Sequence, residues 1–89
     1  MADIEVQAVS DETFGVTIVE DLSKSVHEVT ATKMQVELLC ADCPPEQVVE
    51  ASMRFLLDRE PKESIMTRFD LDVIARFFPD YPTAIHDYL

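Results

Sequence analysis

Cys40 and Cys43, in the order Cys-Ala-Asp-Cys, are the one motif in this 89-residue chain whose spacing carries an established chemistry. Two cysteines separated by two residues can form a redox couple or supply half of a zinc site. Cys43 stands just before Pro44 and Pro45, where a helix can begin, and a helix N-terminus lowers a thiol pKa. Asp42 and Glu46 on either side act in the opposite direction. Redox catalysts also carry the pair after a strand. Zinc would need two further ligands, and His27 and His86, the only histidines, fall far apart on a strand and a tail. Two semi-buried structural cysteines are therefore the preferred reading, with a thiol-redox or zinc-binding module using Cys40 and Cys43 as the alternative. Both histidines are read as surface or edge residues.

Other chemistries find less support. No serine or threonine stands beside a histidine and an acid in a pattern that would activate a nucleophile. Carboxylates abound, but nothing in the sequence marks an apolar pocket to raise the pKa of one of them. A phosphate-cradling loop needs several glycines, and Gly15 is the only one. The expectation is a non-catalytic protein with no cofactor.

A second candidate set lies further along. The chain carries 18 acidic residues against seven lysines and arginines, a net charge of −11, so a nucleic-acid backbone would be repelled. Charge is unevenly spread. Residues 1 to 53 hold eleven acids and only Lys24 and Lys33, whereas residues 54 to 76 hold five charges of each sign. Within that neutral block Arg59, Lys62, Arg68 and Arg76 are the candidate binding residues, suited to a carboxylate or phosphate on a partner. The competing reading is an ion-pair network in which Glu60, Glu63 and Asp70 pair with Arg59, Lys62 and Arg68 and fasten helical turns together. Each exposed pair of that kind contributes only about 0 to 1 kcal/mol.

These residues need elements to hold them. Ile4, Val6 and Ala8 alternate with Glu5 and Gln7, and Phe14, Val16 and Ile18 repeat the period, as half-buried strands do. Residues 14 to 31 read as a hairpin with a loop at residues 22 to 25, and Gly15 as a bulge or bend. From Thr32 the period changes, with Met34, Val36, Leu38 and Leu39 at helical spacing behind a Thr30 or Thr32 cap, while Val36 also suits a strand continuation. Pro44 and Pro45 then open a long helix whose apolar face is Val48, Val49, Ser52, Phe55 and Leu56. Glu46, Glu50, Arg54 and Asp58 recur every four residues on its other side. Pro61 ends that helix and starts a short one over residues 61 to 69, with Ile65, Met66 and Phe69 facing the core. Asp70 caps a further helix carrying Leu71, Ile74, Phe77 and Phe78, with Asp72 and Arg76 four residues apart, and Pro79 stops it. A turn and a short terminal helix or tail follow.

The block Phe-Leu-Leu-Asp-Arg-Glu-Pro-Lys-Glu-Ser-Ile at residues 55 to 65, then Arg-Phe-Asp-Leu at 68 to 71 and Phe-Phe-Pro-Asp-Tyr at 77 to 81, resembles a group of short, uncharacterised bacterial proteins. The likeness covers roughly residues 48 to 81. It implies a genuine fold unit and a bacterial origin, and brings no catalytic or binding residue with it.

Taken together, the sequence predicts one α+β domain over residues 1–89, strand-rich over 1–31 and helical over 32–89. An N-terminal antiparallel hairpin or three-stranded sheet would pack against three to four C-terminal helices. No apolar run reaches the roughly 20 residues that cross a bilayer, and the start is acidic, so a cytoplasmic protein without membrane contact is expected. The functional expectation is a small acidic interaction or regulatory domain. Its partner, a protein or a second copy of the chain, would meet a sheet edge or an aromatic surface of Phe77, Phe78, Tyr81 and Tyr88. A nucleic-acid mimic built on the acidic half is the remaining alternative.

Overall fold

A computed structural model describes residues 2–89. The chain is α+β, with a mixed four-stranded sheet in the order β1-β2-β3-β4 and helices on one of its faces. β1 (Asp3–Ala8), β2 (Thr13–Glu20) and β3 (Ser23–Thr30) form an antiparallel meander. The period-two pattern decides its faces: Phe14, Val16 and Ile18 are buried, Gly15 and Thr17 between them are half-buried, and Val19 just beyond them is exposed. Glu20 pairs with Ser23, so the turn is only Asp21 and Leu22 rather than the longer loop expected at 22 to 25. Asp21 takes φ 55°, a left-handed conformation that aspartate tolerates better than most residues and that matches the twist of a tight hairpin. Gly15 makes no bulge. It pairs with Gln7 on one side and Glu28 on the other in unbroken register, and an added Cβ would meet Val9 Cγ2 at 3.6 Å, an ordinary contact.

Thr32 starts α1 (Lys33–Leu39) with a reciprocal capping box: its hydroxyl accepts from Gln35 N–H, and the Gln35 side chain accepts from Thr32 N–H. Of the four apolar residues placed at helical spacing, only Val36 is buried and Leu39 half-buried; Met34 and Leu38 face outward. The long helix α2 (Pro45–Leu57) matches its pattern closely. Val48, Val49, Ser52, Phe55 and Leu56 are all buried, as are Ala51 and Met53. Its position across the inner face of the sheet, against β1, makes it the centre of the core. Burial of each large side chain there contributes about 1.5–3 kcal/mol.

The largest departure from expectation lies between residues 61 and 70. Instead of a helix, the chain makes a single 3-10 turn (Lys62–Ser64), runs extended, and adds β4 (Arg68–Asp70) parallel to β3. Ile65 and Phe69 are buried as expected, but Met66 is exposed. The backbone groups that a local helix would have paired internally are taken up by β3, beginning with the Glu28 N–H that donates to Thr67 O at 2.7 Å. A parallel partner requires a long crossover, which α1 and α2 supply. Asp70 then caps α3 (Leu71–Phe77), its carboxylate accepting from Val73 N–H at 3.2 Å. After Pro79, α4 (Tyr81–Ala84) and a terminal 3-10 turn (Ile85–Asp87) bring Tyr81 and Ile85 into the core.

Candidate interaction surface

The four basic residues proposed from the sequence do not converge on one site. Lys62 is almost wholly buried, with its ammonium 2.6 Å from Glu63 and 3.8 Å from Glu20 at the end of β2. Its hydrogen bond to Glu63 raises the Lys62 pKa above the ordinary lysine value and, together with a backbone N–H, lowers that of Glu63. Arg68 pairs across the parallel strands with Glu28 at 3.3 Å, not with Asp70. Arg59 lies over the Phe55 ring, 3.7 Å from its centroid, and donates to Phe55 O and to Asp80 at 2.9 Å rather than pairing with Glu60. Burial works against the Arg59 charge, and hydrogen bonding with Tyr88 and Asp80 outweighs it, raising the pKa. Arg76 makes no ion pair among the described residues, Asp72 included. Arg54, one turn before the end of α2, pairs with Glu50 as the four-residue spacing predicts.

Three of these side chains belong to two structural devices. The first is a strap: Lys62 reaches Glu20, Arg68 reaches Glu28, and His27 donates from Nδ1 to Met66 O at 2.8 Å. His27 was expected at a surface or edge and is instead buried, because β4 and the segment before it close over β3. With a carbonyl as its partner, Nδ1 carries the proton, and in the neutral ring Nε2 accepts from the Ser25 hydroxyl at 2.8 Å. The second is an aromatic cage. Phe55 sits at its centre with Phe78, Tyr81 and Tyr88 edge-on at 5.2 to 6.0 Å and Arg59 on its face. Tyr88 OH donates to Asp58, which raises the tyrosine pKa. Tyr81 is buried, bonded to the Ser52 hydroxyl at 2.6 Å, and burial pushes its pKa up to about 12. The predicted aromatic surface thus reduces to Phe77. Tyr81 is buried in the cage, and Phe78 and Tyr88 are half-buried in it, with Phe78 also lining the cleft at its edge.

One mostly apolar cleft stays open beside Phe77. A cleft of about 210 Å³ runs between the end of α2, the segment before β4, and α3. Leu56, Ile65, Phe69 and Ile74 floor it, and Met66 and Phe77, 51% and 69% exposed, stand at its sides. Glu60 is the one charged residue in its lining, and among the described residues its carboxylate has no ion-pair or hydrogen-bond partner. The charge pattern of the sequence did not point here. Phe77 at the end of an apolar stripe was the only signal available.

Cys40 and Cys43 are joined in a disulfide rather than held as two free thiols. Cys40 is the C-terminal cap of α1, and Cys43 leads through Pro44 into α2. No group of three or more His, Cys, Asp or Glu side chains is placed to hold a metal ion among the described residues, and both ring nitrogens of His27 are already engaged. No described helix is long and apolar enough to cross a membrane. Comparison with known protein families, with curated proteins and with solved structures gives no match for this chain.

Proposed function

We propose that this chain is a small acidic, non-catalytic interaction domain that receives an apolar side chain of a basic protein segment in the cleft beside Phe77. The observation that supports this reading most is the pairing of an open apolar cleft with a carboxylate in its wall, Glu60, that has no ion pair among the described residues. Its volume of about 210 Å³ lies below the roughly 300–1,000 Å³ usual for small-molecule pockets. It suits one large anchor side chain, as in helix-in-groove recognition. The occupant is basic for electrostatic reasons. Glu60 would be neutralised by a lysine or arginine flanking the anchor, and a net charge of −11 attracts a cationic segment while repelling nucleic acid and a second copy of the chain. A bacterial cytoplasm is part of the same proposal, resting on the sequence resemblance and on charge interspersed throughout.

Fluorescence anisotropy provides the test, using a labelled lysine-rich amphipathic peptide with one phenylalanine anchor and a glutamate-rich twin. The basic peptide should bind and weaken with salt, and Phe77→Ser should reduce its affinity about tenfold or more, equivalent to about 1.4 kcal/mol. Equal binding to wild type and Phe77→Ser would overturn the assignment of the cleft. Self-association in sedimentation, lost in Phe77→Ser and unaccompanied by peptide binding, would transfer the cleft to a second copy.

A further inference from the structure

The disulfide sits at a junction where Leu39, Cys40 and Cys43 are only partly buried against the core and one backbone bond, Cys43 N–H to Cys40 O at 3.3 Å, closes the turn. α1 is seven residues long (Lys33–Leu39), and isolated helices shorter than about 12–15 residues are marginal in water. Its N-terminal end is secured by the Thr32–Gln35 capping box and by Glu12, whose carboxylate accepts from Lys33 N–H at 2.8 Å. Its middle contributes only Val36 to the buried core. Its C-terminal end depends on Cys40, whose N–H donates to Val36 O at 2.8 Å and whose sulfur is bonded to Cys43 at the threshold of α2. Ala41 and Asp42 between the two cysteines are exposed, and so are Met34 and Leu38, four residues apart on the outer side of α1.

We propose that Cys40–Cys43 is a reversible thiol–disulfide exchange site for a dithiol reductant, and that its redox state sets the order of α1. A thiolate of the reductant attacks one sulfur of the pair, forming a mixed disulfide and releasing the other cysteine, which takes up a proton. The reductant's second sulfur, as thiolate, then attacks the reductant's first sulfur in that mixed disulfide and releases the second cysteine, which also takes up a proton. Two electrons and two protons pass to the protein, and the reductant leaves as a disulfide. An uncharged dithiol suits the site better than an anionic monothiol, because Asp42 and Glu46 border it. The consequence is local. A bond closing so short a loop removes little chain entropy from the unfolded state, so the sheet and α2 remain folded when it opens. α1 loses its C-terminal anchor and, with it, the fixed display of Met34 and Leu38.

This proposal is independent of the cleft, and amide exchange read by NMR tests it, with dithiothreitol as the probe. In the folded protein, dithiothreitol should add about 2 Da, the two hydrogens of the reduced pair. The amides of Val36 and Cys40 should then exchange about tenfold faster or more, with those of Val16 and Ile18 unchanged. The double variant Cys40→Ser/Cys43→Ser should exchange like the reduced protein and ignore dithiothreitol. A bond that resists dithiothreitol until the protein is globally unfolded would overturn exchange at this site. Unchanged α1 amides after complete reduction would overturn the control of α1.

Discussion

Two neighbouring regions at the end of α2 differ in how their groups are used. In the cage around Phe55, every strong group has a partner: Arg59 meets Phe55, Asp80 and the backbone, Tyr88 meets Asp58, and Tyr81 meets Ser52. In the cleft a short way along, Met66 and Phe77 are exposed and Glu60 has no ion pair among the described residues. The cage carries the conspicuous arginine and tyrosines, and the cleft is mostly aliphatic and phenylalanine. Density of charge and aromaticity along a sequence therefore locates cohesion as readily as recognition. Unsatisfied groups separate the two, and satisfaction is a property of three-dimensional neighbours.

Substitutions of one residue type on either side of this divide should separate most widely. Phe69→Ala removes a buried ring from β4 and should cost about 3 to 5 kcal/mol. Phe77→Ala, at the edge of the cleft, should stay within about 0.5 kcal/mol of wild type. Thermal denaturation of the two variants measures the gap, and equal losses would place Phe77 in the core and remove the open cleft.

Alkaline titration tests the interior of the cage. Burial raises the Tyr81 pKa from 10.0 to about 12, so its neutral form stabilises the fold fully below pH 10. That contribution, on the order of 2 to 3 kcal/mol, should disappear as pH rises through about 12, because the unfolded chain ionises first. Lys62 loses its contribution in the same direction at high pH, so the comparison needed is with Tyr81→Phe, which should show a shallower alkaline loss in urea denaturation.

A smaller effect tests the far wall of the cleft. Asp70→Ala removes the cap that starts α3 and should cost about 0.5 to 2 kcal/mol. Because α3 carries Phe77, peptide binding at the cleft should weaken along with stability. Retained stability together with retained affinity would mean that the cap does not position that wall. The least effect on stability is expected from Arg76→Ala, which breaks no ion pair among the described residues. Arg59→Ala should be more damaging, since it uncovers Phe55 and strands Asp80. Chemical denaturation gives the order, and a reversal would return Arg76 to a structural network and free Arg59 for binding.

Much of the molecule follows from local pattern. Alternation in β2 and at Ile4 and Val6 of β1 (though not at Ala8, which is exposed), the apolar face of α2 behind its two prolines, and the Asp70 cap were legible, since each depends on residues within one turn or one strand of each other. The segment from 61 to 70 was not. Ile65 and Phe69 suit a short helix or an extended strand equally well at that length, and the choice fell to the free edge of β3, which lies 40 residues earlier at each pairing.

The candidate site divides in the same way. Residue types, the acidic balance and the two-residue gap between Cys40 and Cys43 are determined by sequence, because composition and spacing need no fold to exist. Which side chains meet was decided by tertiary structure alone. Lys62 faces Glu20, Arg68 faces Glu28, Arg59 faces Asp80 and His27 faces Met66 only once β4 has docked and the chain terminus has folded back over α2. The same docking leaves Phe77 exposed and Glu60 without an ion pair among the described residues. Burial and electrostatic pairing act through space at a few ångströms, whereas the linear order of residues specifies neighbours only along the chain.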